Sequence, residues 1–243
     1  MGEVVRYLLL GMMLLCAFAA NAGMDPQQLK QTIGQRLGVR VFLVDETPVP
    51  GLFLLGTAQG LIYSDARGDY VLQGSMLDLG HGMKNLTRLD QQRQRRLALS
   101  QIGEQRMQLK APHERHHLTL FTDLACRHCR ATLDELPRLQ ARGVSVQLLP
   151  VIGPFADLAE VQAAWCAPGL LGELSLSDRL PAAGCNEILA HHIGLSQWLG
   201  IKALPSWVLP NGDLVRGYQR PEQLLKLLDH IDAPANPSSS SGG

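Results

Sequence analysis

The chain has 243 residues and carries 22 Lys and Arg side chains against 22 Asp and Glu side chains, so its formal net charge is zero. A neutral chain lacks the strong positive field with which proteins attract nucleic acids or anionic surfaces, and this balance argues against both partners. Once a leader peptide is set aside, roughly 220 residues remain, which suffice for one large domain or two smaller ones.

The first 22 residues have the pattern of a secretory signal peptide. Arg6 supplies a positive start, an apolar stretch follows at 7–20, and Ala20-Asn21-Ala22 is a small-x-small cleavage signal. The apolar stretch is short for a membrane span, although a retained anchor is the alternative. We therefore expect export of the chain and cleavage after about Ala22.

Residues 23–82 indicate a small α+β module. A short helix pattern, marked by Leu29 and Ile33, precedes several short strand-like runs that Pro and Gly residues separate as turns. So many strands in so few residues leave a thin hydrophobic core, and a thin core favours a partner surface. We predict a small N-terminal α+β dimerisation domain.

Residues 83–110 predict a linker helix that is polar on nearly every side. Arg88, Arg93, Arg95 and Arg96 lie in this segment among several glutamines, with few apolar residues. A helix of this kind usually bridges two domains through solvent, and its length would hold them roughly 30 Å apart. The alternative is a solvated surface helix inside one domain.

Residues 111–232 begin with the pattern of a βαβ unit. A strand at 118–121 leads into a helix and then a strand at 144–149. The two strands should be parallel, and the crossover between them should be right-handed. Pro137 lies within the helix pattern and should kink or shorten the helix.

The rest of this region predicts a thioredoxin-like domain with a helical insertion. The insertion covers about 155–198, and a hairpin follows with Asn211-Gly212 as its turn. A closing helix begins at Pro221, a favourable first helical position. Residues 233–243 are rich in Pro, Ser and Gly and are expected to form a disordered tail. The fold class is therefore α+β.

Cys126-Arg127-His128-Cys129 follows the strand at 118–121 and opens the predicted helix. Two cysteines separated by two residues in this setting are typical of a dithiol redox centre. The first sulfur then lies near a helix N-terminus, where the helix dipole favours the thiolate that attacks disulfides. We assign Cys126 as the attacking thiol and Cys129 as the buried resolving thiol. Half of a zinc site and an inert disulfide are the alternatives.

The two residues between these cysteines are candidates for tuning their pKa. Arg127 is permanently cationic, and His128 is cationic when protonated. Positive charge beside a thiolate stabilises the reduced form, and it makes the corresponding disulfide more oxidising.

Cys166 and Cys185 are the other two cysteines of the mature chain, since cleavage of the leader removes Cys16. An even number of cysteines in an exported protein favours disulfide pairing. We predict a structural disulfide between them, with a second redox relay as the alternative. A zinc site would need a second pair with the spacing of the first, so we expect neither a metal nor a cofactor.

Leu204-Pro205 precedes the predicted hairpin strand. In a thioredoxin-like domain this position holds a cis proline that faces the CxxC motif. The backbone of the preceding residue can then pair with an extended substrate peptide as an added strand. We predict that Leu204 and Pro205 bind substrate; an ordinary trans proline is the alternative.

These motifs, taken in order, resemble the periplasmic disulfide isomerases of the DsbC/DsbG family. The resemblance covers nearly the whole mature chain and rests on an ordered set of motifs, which is more specific than a CxxC alone. The matching segments are 60–63, 73–78, 112–123 with the CxxC, Ala164-Trp165-Cys166-Ala167, Cys185, and Pro205 with 208–212 and 217–219.

The resemblance implies a V-shaped homodimer in the periplasm. Its cystatin-like N-terminal domains would pair, and two CxxC centres would face an apolar cleft that takes misfolded, disulfide-containing exported proteins. Cys126 would attack, Cys129 would resolve, Pro205 would be the cis proline, and Cys166 and Cys185 would form the structural bridge. A membrane-bound thiol reductase of the DsbD type would keep the CxxC reduced.

Two departures from the family pattern bear on redox poise and substrate preference. Arg127-His128 is more cationic than the Gly-Tyr pair that family isomerases usually carry, and Leu204 stands where Thr is common. We expect a protein disulfide isomerase and reductase with chaperone-like binding. A net dithiol oxidase and a non-catalytic dimeric holdase chaperone are the alternative functions.

Overall fold

The computed structural model describes residues 24–103, 107–124, 126–152, 157–166, 180 and 183–232. The predicted signal peptide and the predicted C-terminal tail lie outside these residues. The chain separates into two compact units, 1–74 and 75–243. None of the helices in the described ranges is both long and apolar enough to cross a bilayer.

The first unit packs one helix against an antiparallel sheet, as the predicted α+β module requires. Asp25 caps the helix, because its Oδ1 accepts hydrogen bonds from the amides of Gln27 and Gln28 at 2.7 and 3.1 Å. The sheet has the order β1-β2-β3-β4. The elements are α1 (Pro26–Leu37), β1 (Val41–Glu46), β2 (Leu52–Thr57), β3 (Gly60–Asp65) and β4 (Val71–Leu72).

The core of this unit is small. One cluster holds Leu29, Ile33, Val41, Leu55 and Ile62, and Leu54, Leu61 and Tyr63 of the sheet are buried as well. The edge strand β4 is exposed along both of its residues. A thin core beside an uncovered edge strand agrees with the expectation that this unit needs a partner surface.

The second unit begins with a small hairpin and a helix and continues into a five-stranded sheet. Its elements before the insertion are β5 (Leu77–Asp78), β6 (Lys84–Asn85), α2 (Leu86–Ser100), β7 (Met107–Leu109), β8 (His116–Thr122), α3 (Arg127–Asp134), α4 (Leu136–Ala141) and β9 (Val144–Pro150). The later elements are α5 (Leu158–Cys166), α6 (Cys185–Trp198), β10 (Ser206–Val208), β11 (Leu214–Arg216) and α7 (Pro221–Asp232).

The five-stranded sheet has the order β11-β10-β8-β9-β7. Strands β8 and β9 are parallel, as the βαβ pattern predicts, and the other pairs are antiparallel. The predicted break in the crossover helix is present, because α3 ends at Asp134 and α4 begins at Leu136, with Pro137 in its first turn. Strand β8 lies between β10 and β9, so hydrogen bonds from both neighbouring strands fix its position in the sheet.

The structure differs from the predicted linker at both of its ends. The helix ends at Ser100, and β7 within the predicted range 83–110 is instead an edge strand of the sheet. The hairpin of β5 and β6 groups with the second unit, although β5 lies in the range predicted for the N-terminal domain and β6 in the range predicted for the linker. Strand β7 has three residues, which is too few for the alternation of apolar and polar side chains to distinguish a strand from a loop.

Helix α2 packs on the thioredoxin-like domain and does not run through solvent alone. The Arg95 guanidinium is buried and donates to the carbonyl of Gly212 at 3.0 Å. Arg88 donates twice to the Asp213 carboxylate, at 3.0 and 2.7 Å. Polar residues therefore make up most of the buried face of this helix, with Ala98 as the apolar residue there. A polarity pattern cannot distinguish arginines that bind backbone carbonyls from arginines that face water.

Candidate active site

Strand β8 and helix α3 together place Cys126. The strand ends at Thr122, and the amide of Cys126 donates to the carbonyl of Asp123 at 3.1 Å. Cys126 then caps α3, with its carbonyl accepting from the amides of Cys129 and Arg130, both at 3.1 Å. The buried strand thus fixes where the helix begins and which residue occupies its N-terminus.

The Cys126 sulfur lies at the positive end of the helix. Its Sγ accepts a hydrogen bond from the Cys129 amide at 3.4 Å. The predicted position of this sulfur near a helix N-terminus is therefore found in the structure.

The two cysteines are both free thiols, but their environments differ. Cys126 is partly exposed, whereas the Cys129 side chain is fully buried. Cys129 lies on the inner side of α3 with Thr132 and Leu133. An external disulfide can approach only the first sulfur without a local opening of the helix.

Burial raises the pKa of the Cys129 thiol to about 12, and the neighbouring Cys126 sulfur adds to this rise. The Asp123 backbone and the Thr122 hydroxyl act in the opposite direction, but their effect is smaller. Cys129 is therefore a protonated thiol at neutral pH. It becomes a nucleophile only when its proton is removed during the reaction.

Arg127 and His128 are both exposed on the first turn of α3. Their charges lie beside the Cys126 sulfur in sequence, but solvent screens charges on exposed side chains. Their role in tuning the pKa of the cysteines stays a prediction.

The Leu204–Pro205 peptide bond is cis. Ser206, the next residue, pairs with Phe121 of β8, so Pro205 lies beside the strand end from which the CxxC segment leaves. Pro205 is buried, and Leu204 is half-buried. The sheet register thus brings this peptide and the dithiol to the same edge of the domain.

Cys166 and Cys185 form a disulfide with a Cα–Cα distance of 5.8 Å. The bond joins the end of α5 to the first residue of α6. Much of the predicted helical insertion between these cysteines lies outside the described residues. The predicted disulfide is therefore present, and its structural role stays a prediction.

Two polar residues beside Cys129 were not among the sequence-predicted site residues. Thr122 is fully buried, and Asp123 is 6% exposed. Both follow directly from a buried strand and precede the CxxC, and a polar pair in that place was the available signal. Sequence reasoning included them only as part of a longer motif.

Selective alkylation tests the different environments of the two thiols. With the CxxC reduced, iodoacetamide at neutral pH should label Cys126 and leave Cys129 unmodified, because a pKa of about 12 keeps Cys129 protonated. Labelling of Cys129 should rise only in strongly alkaline solution. Peptide mass spectrometry measures both labels, and the same reaction in denaturant should modify both residues. Equal labelling in the folded protein at neutral pH would contradict this arrangement.

Two family models match the chain. Residues 20–88 match the family model described as the disulfide bond isomerase protein N-terminal domain, and residues 103–232 match the thioredoxin-like domain model. The solved catalytic domain of Proteus mirabilis ScsC is 18% identical, with a TM-score of 0.44, over 58% of this chain and 97% of its own.

Curated relatives cover both units of the chain. The thiol:disulfide interchange protein DsbC of Escherichia coli K12 is 30% identical over 89% of this chain and 92% of its own length. The DsbC protein of Dickeya dadantii is 29% identical over 95% of this chain and 96% of its own. Because both domain models match in order and the Escherichia coli relative is matched over 92% of its length, the chain belongs to the DsbC family of thiol:disulfide interchange proteins.

Proposed function

We propose that this protein is a periplasmic thiol:disulfide interchange protein that rearranges wrong disulfides in exported proteins. The observation that carries the proposal is the pair of unequal thiols, with a reachable Cys126 sulfur at a helix N-terminus and a buried, protonated Cys129 behind it. The names of the curated relatives support the same reaction class.

The reaction begins when the Cys126 thiolate attacks one sulfur of a client disulfide. A mixed disulfide forms between Cys126 and that sulfur, and the other client sulfur leaves as a thiolate and takes up a proton. If a client thiolate then attacks the mixed disulfide, Cys126 is released and a new client disulfide forms. This route is an isomerisation, and it changes neither partner's overall oxidation state.

Reduction is the competing route out of the mixed disulfide. Cys129 loses its proton and attacks the Cys126 sulfur, which releases the client as a dithiol and leaves Cys126 and Cys129 joined. Two electrons must then return to the CxxC. A membrane thiol reductase of the DsbD type is the proposed donor, and the burial of Cys129 slows this route relative to isomerisation.

The segment at Leu204 and Pro205 provides a place for an extended client peptide. Within the described residues, neither the amide nor the carbonyl of Leu204 has a hydrogen-bond partner. The carbonyl of Pro205 is already used by the amide of Gly217 at 2.8 Å. We propose that a client backbone pairs with Leu204 as an added strand and brings its disulfide to Cys126.

Refolding of a scrambled multi-disulfide substrate tests the function. The reduced protein should accelerate recovery of native pairings, and the number of free thiols on the substrate should stay nearly constant. A net oxidase would instead consume thiols of a reduced substrate and would act poorly on a scrambled one. A holdase would suppress aggregation without changing the pairings. Either of the last two results would overturn the isomerase assignment.

We further propose that the protein works as a homodimer through its first unit. Val71 and Leu72 on the edge strand are 41% and 57% exposed, and the nearby Tyr70 is 69% exposed. Exposed apolar groups on an unpaired strand edge favour association with a second strand. Sedimentation equilibrium at micromolar concentration should give a dimer, and Leu72→Lys should weaken it. A wild-type monomer under these conditions would contradict the proposal.

A further inference from the structure

A cavity of about 290 Å³ lies between helix α2 and the sheet of the second unit. Arg96 and Ser100 line it from the helix, and His117, Thr119 and Gln147 line it from strands β8 and β9. None of its described lining residues belongs to the CxxC motif or to the cis peptide. The reaction proposed above therefore gives this cavity no role.

A row of polar side chains crosses the sheet below this cavity. Gln108 of β7 pairs with Gln147 of β9, and Gln147 pairs with Thr119 of β8. Residues that pair directly across strands project to the same face of a sheet. All three are less than 5% exposed, in a position where a covered strand would ordinarily carry apolar residues.

Two amide atoms of this row lack hydrogen-bond partners among the described residues, although the Gln108 Nε2 lies 3.3 Å from the His117 Nδ1. Gln147 Nε2 and Gln108 Oε1 are both buried without a partner there. A buried amide left unpaired costs on the order of 1–3 kcal/mol, so such groups are usually satisfied by protein, water or ligand. The Gln147 amide is thus a buried donor in the wall of the cavity, and it is available to a bound acceptor.

The rim of the cavity adds further donors. Arg96 uses one nitrogen to reach the carbonyl of Asn211 at 2.5 Å, and a guanidinium has five N–H groups in all. None of the described lining residues is acidic. A positive charge at the rim, a buried amide donor below it and no opposing carboxylate favour an anionic ligand over a cationic one.

The remaining wall is apolar. Leu99, Val208, Leu209 and Pro210 complete the lining. A ligand that binds both the donors and the apolar wall carries one carboxylate and a small apolar group. We propose that this cavity binds a small carboxylate of about the size of an N-acylated amino acid, with its carboxylate on Arg96 and the Gln147 amide.

Calorimetric titration of the mature chain with N-acetylalanine tests this site. We expect saturable binding in the millimolar range or tighter, and N-acetylalaninamide should bind at least about tenfold more weakly because it lacks the charge. A short unstructured peptide ending in alanine separates two sources of the ligand. If the peptide binds as tightly as N-acetylalanine, the natural ligand is the C-terminal end of a polypeptide. If the peptide does not bind, the natural ligand is a free small molecule.

Variants locate the binding in this cavity. Arg96→Gln should weaken N-acetylalanine at least about tenfold. Arg93→Gln is the matched control, because Arg93 lies on the same helix but pairs with Asp90 and does not line the cavity. Absence of saturable binding, equal binding of the acid and the amide, or equal loss in both variants would each overturn the proposal. The first of these results would mean that the cavity holds water.

Discussion

Cys126→Ser is expected to abolish disulfide rearrangement, with a fall of at least about a thousandfold in the rate at which a scrambled substrate regains native pairings. Serine keeps the size and polarity of the side chain, but its hydroxyl is not ionised at neutral pH and cannot form a mixed disulfide. The measurement is substrate refolding in a glutathione buffer, with thiols trapped by acid at each time point. The helix should survive the change, because serine is a good capping residue.

Cys129→Ser should give a different result, and the contrast between the two variants is the real test. Cys126 remains able to attack, and a client thiol can still complete the rearrangement, so isomerisation should persist at a reduced rate. Reduction should be lost, because no second thiol remains in the protein to release the client. Mixed disulfides should accumulate and appear on non-reducing gels.

The two variants can contradict the mechanism in clear ways. Equal loss of isomerisation in both would mean that every turnover passes through the Cys126–Cys129 disulfide. Substantial isomerisation by Cys126→Ser would mean that another group attacks, or that the protein acts by binding alone. In each measurement, circular dichroism of the variant should match that of the parent, which excludes unfolding as the cause.

The position of the two CxxC thiols at the start of a helix could be predicted from sequence because its determinants are local. The apolar strand, the CxxC that follows it and the break at Pro137 all lie within about one supersecondary unit. The hairpin with Asn211-Gly212 was equally visible, since turn chemistry depends on a few adjacent residues. The cis peptide at Leu204 was anticipated from its place in the thioredoxin-like order of elements and not from the dipeptide itself.

The docking of helix α2 could not be predicted, because its partners lie more than a hundred residues away in sequence. Arg95 and Gly212 are joined by a hydrogen bond across a separation of 117 residues. Nothing in a run of arginines and glutamines indicates which of them will meet a backbone carbonyl. Thr122 was missed for a related reason, since its closeness to Cys129 depends on how the strand meets the helix.

Gly212→Ala is expected to destabilise the second unit by about 2–5 kcal/mol. Gly212 has a φ of 85°, where a Cβ atom is strained. An added Cβ would also overlap the carbonyl oxygen of Gln92 and lie 2.8 Å from its carbonyl carbon. These are backbone atoms of α2, so no side-chain rotation can relieve the contact. Either the turn or the helix must move.

Gly217→Ala separates the cost of the strained backbone conformation from the cost of the contact with the Gln92 backbone. Gly217 has a φ of 84°, nearly the same as Gly212, but an added Cβ there meets nothing within 4 Å. Both substitutions restrict the unfolded chain to a similar extent, so that contribution cancels in their difference. We expect Gly217→Ala to cost about 1–2 kcal/mol and Gly212→Ala to cost at least about 2 kcal/mol more. Urea unfolding followed by tryptophan fluorescence measures both.

A double-mutant cycle on Arg88 and Asp213 then shows whether the helix has moved. Arg88 holds the Asp213 carboxylate in a two-point contact, and its guanidinium lowers the pKa of that carboxyl group. The pair is partly exposed, so its coupling in the parent protein should be about 1 kcal/mol or less. If the methyl group added by Gly212→Ala pushes α2 away from the turn, this coupling should vanish in the variant. Unchanged coupling together with equal costs at both glycines would show that the helix does not pack against this turn as described, because the close approach of Gln92 to Gly212 requires that it does.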